Sequence, residues 1–409
     1  MTCTTCPTST LPDADEAPAS RGRLSPTAAF YLQASITVSF LAGSSAPTPL
    51  YSLYQAQWGF SATTTTMIFG IYAIAVLASL LVTGRLSDHI GRRPVLFAAI
   101  AAQLVAMIAF GTANDVGDLI IARIIQGLSA GAAVAAVGGG LLDLHRERGS
   151  IANAVTPPIG TGLGAILAGL MVQFLPAPTH LVYAVLAAVY YLQGIGVFFM
   201  AETNAPRAGA WASLKPSLKL SRNLRGPMLL AIPALLSTWA LAGFYASLGP
   251  ALVRGLTGIN SSLLGGATLF LLASSAALAV VFLRNAGAAT LTKIGAYALL
   301  TGVAIAITAI TIHAPVVFFI GTSVAGIGFG AGFQGAIRAI ATHAAPHERA
   351  GALSIAFVVS YLAMGVPAVI AGYFVTRHGD ILATAREFGV AVILLSVLTL
   401  LGASRRVKA

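Results

Sequence analysis

Polar and apolar positions along this chain fall into long blocks, not short alternations. No Asp, Glu, Lys or Arg occurs in the intervals 24–84, 94–114, 124–142, 149–201, 226–253, 255–283, 294–337, 350–376 and 388–404. Each block is apolar all round and rich in Ala, Leu, Val and Gly, so no single face reads as a core. A membrane-spanning helix needs roughly 17–25 such residues. The three longest intervals hold two helices each, broken at Gln55–Ser61, Pro176–His180 and His313–Pro315. The other six hold one each, and the pattern predicts twelve spans. Barrel strands would be about 10 residues long with alternating polarity, which these runs are not.

Composition agrees with the pattern. The 409 residues are 57% hydrophobic and only 9% charged, with a mean hydropathy of +0.87. A soluble domain carries about 25% charged residues. The expected fold class is therefore an all-α membrane protein. The net charge of +11 then becomes a topology signal, not a nucleic-acid footprint. If the N-terminus is cytoplasmic, only Arg254, Arg377 and Arg386 fall in outer loops. Arg123 lies inside a span, and the remaining Lys and Arg lie on the inner face. Both termini are thus expected inside.

The polar stretches divide the chain. Residues 1–26 read as a disordered cytoplasmic tail without the basic start or cleavage site of a signal peptide. Cys3 and Cys6 lack two further nearby ligands for a zinc site. A six-helix bundle is expected over 27–200, a cytoplasmic linker over 201–226, a second bundle over 227–404, and a short tail over 405–409. In the linker, Lys215, Lys219 and Arg222 have the spacing of a basic interfacial helix, which Pro216 would limit; a plain linker fits as well. The two bundles share fragments. "HRERGSIANAV" (145–155) matches "HERAGALSIAF" (347–357), and "GLGAILAGLMV" (162–172) matches "GVPAVIAGYFV" (365–375). A parallel six-plus-six repeat places a substrate site between the halves.

One charged stretch stands out. "GRLSDHIGRRPVLF" (84–97) puts Arg85, Asp88, His89, Arg92 and Arg93 between the second and third spans. Gly84-Arg85-Leu86-Ser87-Asp88-His89-Ile90-Gly91-Arg92-Arg93 closely resembles motif A of the major facilitator superfamily, G-x-L-x-D-R-x-G-R-[KR], with His89 in place of Arg. Arg123-Ile-Ile-Gln126-Gly127 in the fourth span is similar to its motif B, R-x-x-Q-G. The resemblance covers about residues 27–404 and implies a secondary transporter of twelve helices. The drug:proton antiporters of this superfamily carry G-x-x-x-G-P-x-x-G-G in their fifth helix. Aligned on Pro158, this chain has Asn153, Pro157, Thr161 and Gly162 at the four glycine positions. Gly160, Gly164 and Gly169 still keep that helix small-faced.

The resemblance gives expectations for single residues. Asp88 is expected to act as a latch, reaching cationic or helix-terminal groups of the other half in one of two states. Asp143 ends the fourth span on the same face, within reach of Arg92. The matching stretch of the second half, Leu283–Ile294, keeps Arg284 and Lys293 but has no acid. Arg123, about six residues into its span, is expensive in lipid and is expected to face a cavity as a substrate or proton-pathway cation, helped by Gln126. Asp118, five residues away, is about 140° round the helix from it. Helices 1, 4, 7 and 10 line the cavity in this superfamily. That nominates Gln33, Ser35, Arg123, Gln126, Ser237, Trp239, Tyr245, Phe333 and Gln334. Gly127/Gly131 and Gly328/Gly332 have the spacing of close helix packing.

Rival chemistries lack their context. Gly127-x-Ser129-x-Gly131 matches a hydrolase elbow, and Gly330-x-Gly332-x-x-Gly335 a dinucleotide fingerprint. Both lie inside spans, without the strand–turn–helix setting each needs. There is no phosphate-binding G-x-x-x-x-G-K. The sequence thus points to a non-enzymatic monomer without a cofactor. Its expected partners are a small-molecule substrate, protons as coupling ion, and the bilayer. Proton-coupled efflux of small lipophilic or neutral compounds is the first expectation, in a bacterial cytoplasmic membrane. Uptake or exchange of a small metabolite, and a transport-inactive membrane sensor, are the alternatives.

Overall fold

A computed structural model describes residues 23–405 apart from Ser217, Lys219 and Pro346. The expectations for Cys3, Cys6, most of the N-terminal tail, Lys219 and residues 406–409 lie outside the described residues. In chain order the first half contains α1 (Pro26–Ser45), α2 (Pro47–Trp58), α3 (Ala62–Thr83), α4 (Ser87–Ile90), α5 (Arg92–Gly111), α6 (Val116–Leu144), α7 (Arg146–Phe174) and α8 (Pro178–Phe199). After α9 (Ala210–Ser213) come α10 (Arg222–Thr257), α11 (Ser262–Phe282), α12 (Ala288–Thr311), α13 (Pro315–His343), α14 (Arg349–His378) and α15 (Ile381–Arg405).

Eleven of the described helices are long and apolar enough to cross a bilayer. The place of the twelfth is taken by α1 and α2, one span broken at Ala46–Pro47. Proline has no N–H to continue a helical ladder, and Pro47 and Pro49 fall two residues apart. The three breaks expected inside the long intervals fall in the turns Gly59–Ser61, Leu175–Ala177 and Ile312–Ala314. Local chemistry starts the helices: Ser61, Asp115 and Ser261 accept from the third residue on, opening α3, α6 and α11.

The linker differs from the basic helix considered above. Lys215 lies beyond the four-residue α9, and Arg222 already opens α10. The second bundle thus begins five residues before the expected boundary.

Small residues hold each half together, as expected where lipid removes the hydrophobic drive between helices. Gly127 and Gly131 of α6 press on Ala75 and Ser79 of α3, and Gly295 of α12 lies against Gly332 of α13. The halves meet through α3 with α14 and α7 with α11. These contacts cluster at the face away from motif A. There Thr63 donates its N–H and hydroxyl to Thr376 Oγ1 (3.0 and 2.8 Å). Thr48 Oγ1 donates to the carbonyl of Ala246 (2.8 Å), and Ser261 Oγ to Gln173 Oε1 (3.2 Å). Gly372 leaves no room for a side chain beside Thr66, nor Gly266 beside the Ala165 carbonyl. The molecule is closed at that face.

Candidate functional site: a central cavity and its charged surroundings

Beneath this closure lies a cavity of about 210 Å³ between the halves. Ser44, Ser45 and Ala246 line its closed end, and the lining continues through Asn153 and Val280 toward the motif A face. Its walls are aromatic. Phe69 and Tyr72 come from the first half; Trp239, Phe329, Phe333 and Tyr361 come from the second. Trp239 sits at the centre of this group, 5.0 Å from the Tyr361 ring and 5.3 Å from that of Phe333. Among the described residues, no Asp, Glu, Lys, Arg or His lines the cavity.

Helix α7 adds Asn153 and Thr161 to the polar part of the wall. It runs unbroken through Pro157 and Pro158, which cannot donate to the carbonyls of Asn153 and Ala154 four residues earlier. All four residues line the cavity, so two backbone acceptors without helical donors lie on this wall. Gly160 and Gly164 instead press on Val38 and Ala42 of α1, and Gly162 faces Phe270 and Ser274 of α11.

The nominated residues divide. Trp239, Phe333 and Gln334 line the cavity. Ser237 and Gln33 do not; both are buried within their own half, where Ser237 Oγ donates to Ala234 O and Gln33 Nε2 to the Met200 sulfur. Ser35 is exposed and accepts from Gln193. Tyr245 packs in the second half's core, accepting from Thr322. Residues on the right helices thus lie on the wrong faces, because a helix apolar all round carries no facing signal in its sequence.

Arg123 also lies behind the wall, not in it. It is 0% exposed. Its Nε and Nη2 donate to Tyr51 OH (3.0 and 2.6 Å), and Nη1 donates to Ser44 O (2.9 Å) and Gln126 Oε1 (2.7 Å). The rings of Tyr51, Tyr72 and Phe110 surround it at 5.1–5.6 Å. The break in the first span explains these partners. Pro47 leaves the Gly43 carbonyl without its helical donor, and Gln126 Nε2 supplies one at 2.9 Å. Arg123 holds the next carbonyl, Ser44, and also Tyr51 beyond the break. Motif B thereby staples a hinge in the neighbouring span. The Pro47-Thr-Pro49 spacing was the sequence signal for this hinge.

On the motif A face, Arg92 ties the loop together. Its Nη1 lies 2.5 Å from Asp88 Oδ1 and its Nε 3.1 Å from Asp143 Oδ2. Its Nη1 also donates to Ser87 Oγ at 2.6 Å. Gly91 adopts φ 99° and leaves no space for a Cβ against Glu202. That carboxylate accepts the N–H groups of Arg92 (2.8 Å) and Arg93 (3.0 Å), at the start of α5. Asn204 and Arg207 continue the docking, donating to the carbonyls of Asp88 and His89. Arg93 also donates to the Phe198 carbonyl, while Arg85 is exposed. Among the described residues, no hydrogen bond or ion pair joins Asp88 to the second half. Glu202 was not singled out from the sequence, since a lone acid in a polar linker carries no pattern.

Two six-helix halves closed at one face over a solute-sized cavity define a membrane transporter. The family profile described as the Major Facilitator Superfamily matches residues 34–366, and the chain belongs to that superfamily. It is a multi-pass, non-enzymatic transporter. Among curated relatives, it is 28% identical over 117 residues to an MFS-type transporter, paaT, of Penicillium rubens, covering 28% of this chain and 21% of that protein. It is 30% identical over 130 residues to citrate exporter 1 of Aspergillus niger, covering 31% and 25% respectively. The matched stretches thus span a quarter or less of these relatives. Two solved structures share the fold. A point mutant of the nucleoside transporter NupG gives a TM-score of 0.69 at 11% identity, covering 93% of this chain and 98% of that one. A bacterial homologue of the human lysosomal transporter Spinster, inward-facing and unoccupied, gives 0.68 at 12%, covering 93% and 95%.

Proposed function

We propose that this protein is an alternating-access exporter of small, lipophilic or uncharged compounds, driven by protons. It would act as a monomer in a bacterial cytoplasmic membrane with both termini inside. The observation that carries the reading is the cavity: aromatic, without Asp, Glu, Lys, Arg or His in its lining among the described residues, and extending toward the motif A face. The positive charge of that face supports a cytoplasmic placement, so the cavity would load from inside. Asp88 and Arg92 would form the latch of the opposite state. In the present state Arg92 pairs with both Asp88 and Asp143, which would leave the cavity mouth unlatched.

The test is flux in proteoliposomes with an imposed pH gradient and a compound panel. Export coupled to protons predicts uphill movement of a lipophilic solute that collapses with a protonophore. The absence of a carboxylate from the cavity lining favours a second reading, gradient-independent exchange or uptake, which predicts equilibration untouched by the protonophore. No flux of any compound by fully incorporated protein would sink both.

A further inference from the structure

The cavity's walls are neutral, yet the charge nearest to them is not. We propose that the cavity selects among lipophilic solutes by charge, taking aromatic monoanions such as aryl carboxylates or phenolates and refusing aromatic cations. This rests on the reading of the cavity as the solute site. Arg123 carries a guanidinium cation, is fully buried, and lies one residue behind the wall. Ser44, whose carbonyl it holds, and Tyr72, whose ring centroid lies 5.1 Å from its Cζ, both line the cavity. Its acceptors are all neutral: Tyr51 OH, Ser44 O and Gln126 Oε1. Among the described residues both ion pairs lie elsewhere, at Arg92.

Other charged groups do not cancel this one. Asp115 and Asp118 stand at the start of α6, where Asp115 caps the helix and Asp118 accepts from Asn114 in exposed bonds; water screens them. The carbonyls of Asn153 and Ala154 attract positive groups, but they lie about 12 Å from the level of Thr161, two turns toward the cavity mouth. Thr161 is tied to Ser45 at the closed end. The buried cation therefore stands at the closed end of the cavity. An anionic aromatic fits with its charge toward Ser44 and Tyr72 and its ring among Trp239, Phe333 and Tyr361. At an intermediate dielectric and a separation of about 10 Å, reversing the solute's charge changes its affinity at least tenfold.

The experiment uses three probes of one shape: tert-butylbenzoate, tert-butylbenzyl alcohol and tert-butylbenzylammonium. Binding to purified protein is read as quenching of Trp239 fluorescence, with Trp58→Phe and Trp211→Phe removing the other tryptophans. The benzoate is expected to bind at least tenfold tighter than the ammonium, with the alcohol between. Arg123→Lys should keep that order and Arg123→Gln should flatten it. Equal binding of all three probes by unsubstituted Arg123 protein overturns charge selection and leaves the lipophilic cavity standing. Quenching by none of them overturns both. Should Arg123→Gln fail to stay monodisperse, the comparison within Arg123 protein still decides.

Discussion

The two halves share a fold and differ in how they are held. The first half carries both ion pairs found among the described residues and a buried guanidinium network. The second half is held by glycine contacts, aromatic clusters and hydroxyls turned back onto their own helices. The loops after α3 and α11 make the contrast concrete. In the first, Arg92 reaches Asp143 on α6, and Glu202 caps α5. In the second, the polarity is reversed: Arg338 on α13 reaches back to the loop carbonyl of Ala286 at 2.8 Å. On the proposed latch the acid would exchange partners between states, whereas the Arg338–Ala286 tie stays within the second half. A repeat with an acid in one loop and only cations in the other would, on the proposed latch, switch at the first loop alone.

Three changes test this contrast. The largest effect is expected from Arg123→Leu, which leaves Ser44 O, Tyr51 OH and Gln126 without their partner. Thermal unfolding in detergent should show a loss of about 3 kcal/mol or more, against about 1 kcal/mol or less for Thr322→Val at Tyr245 in the second half. Equal losses would erase the distinction between the halves. Next, Asp88→Asn should slow transport about tenfold, the effect of roughly 1.4 kcal/mol at one gate, with melting little changed; Arg284→Gln in the matching loop should leave turnover unaltered. Wild-type flux from Asp88→Asn at normal incorporation would remove the latch. The smallest effect belongs to Glu202→Gln. It should raise amide exchange at Arg92 and Arg93 about fivefold, a loss of about 1 kcal/mol at the α5 cap, without touching exchange in α12.

The fold was readable because charge-free length is set by the bilayer and leaves its mark along the sequence. The motif A residues could be read for a similar reason, since charge is rare enough here to stand out. Facing could not be read. Ser237 and Trp239 are two residues apart on α10, and only Trp239 reaches the cavity. Tyr72, Phe69 and Tyr361 escaped attention because aromatic side chains within apolar spans look alike whether they face lipid, a neighbour or the cavity. Arg123 drew notice by its cost in lipid, but its role depends on Pro47 and Pro49, far away in sequence and joined to it only in three dimensions.

The broken first span also sets an order of events during synthesis. Pro47 removes the helical donor of the Gly43 carbonyl, the Ser44 carbonyl next to it is held by Arg123, and the two partners, Gln126 and Arg123, lie some eighty residues later in the chain. While the ribosome is still making α3 and α5, the Gly43 carbonyl has neither a helical donor nor Gln126. The α1–α2 segment must wait, close to water or to the insertion machinery, until α6 arrives. Its passage into lipid is then a joint act of two helices, and the hinge is finished only once α6 has been made, although it is among the first parts of the chain to be made.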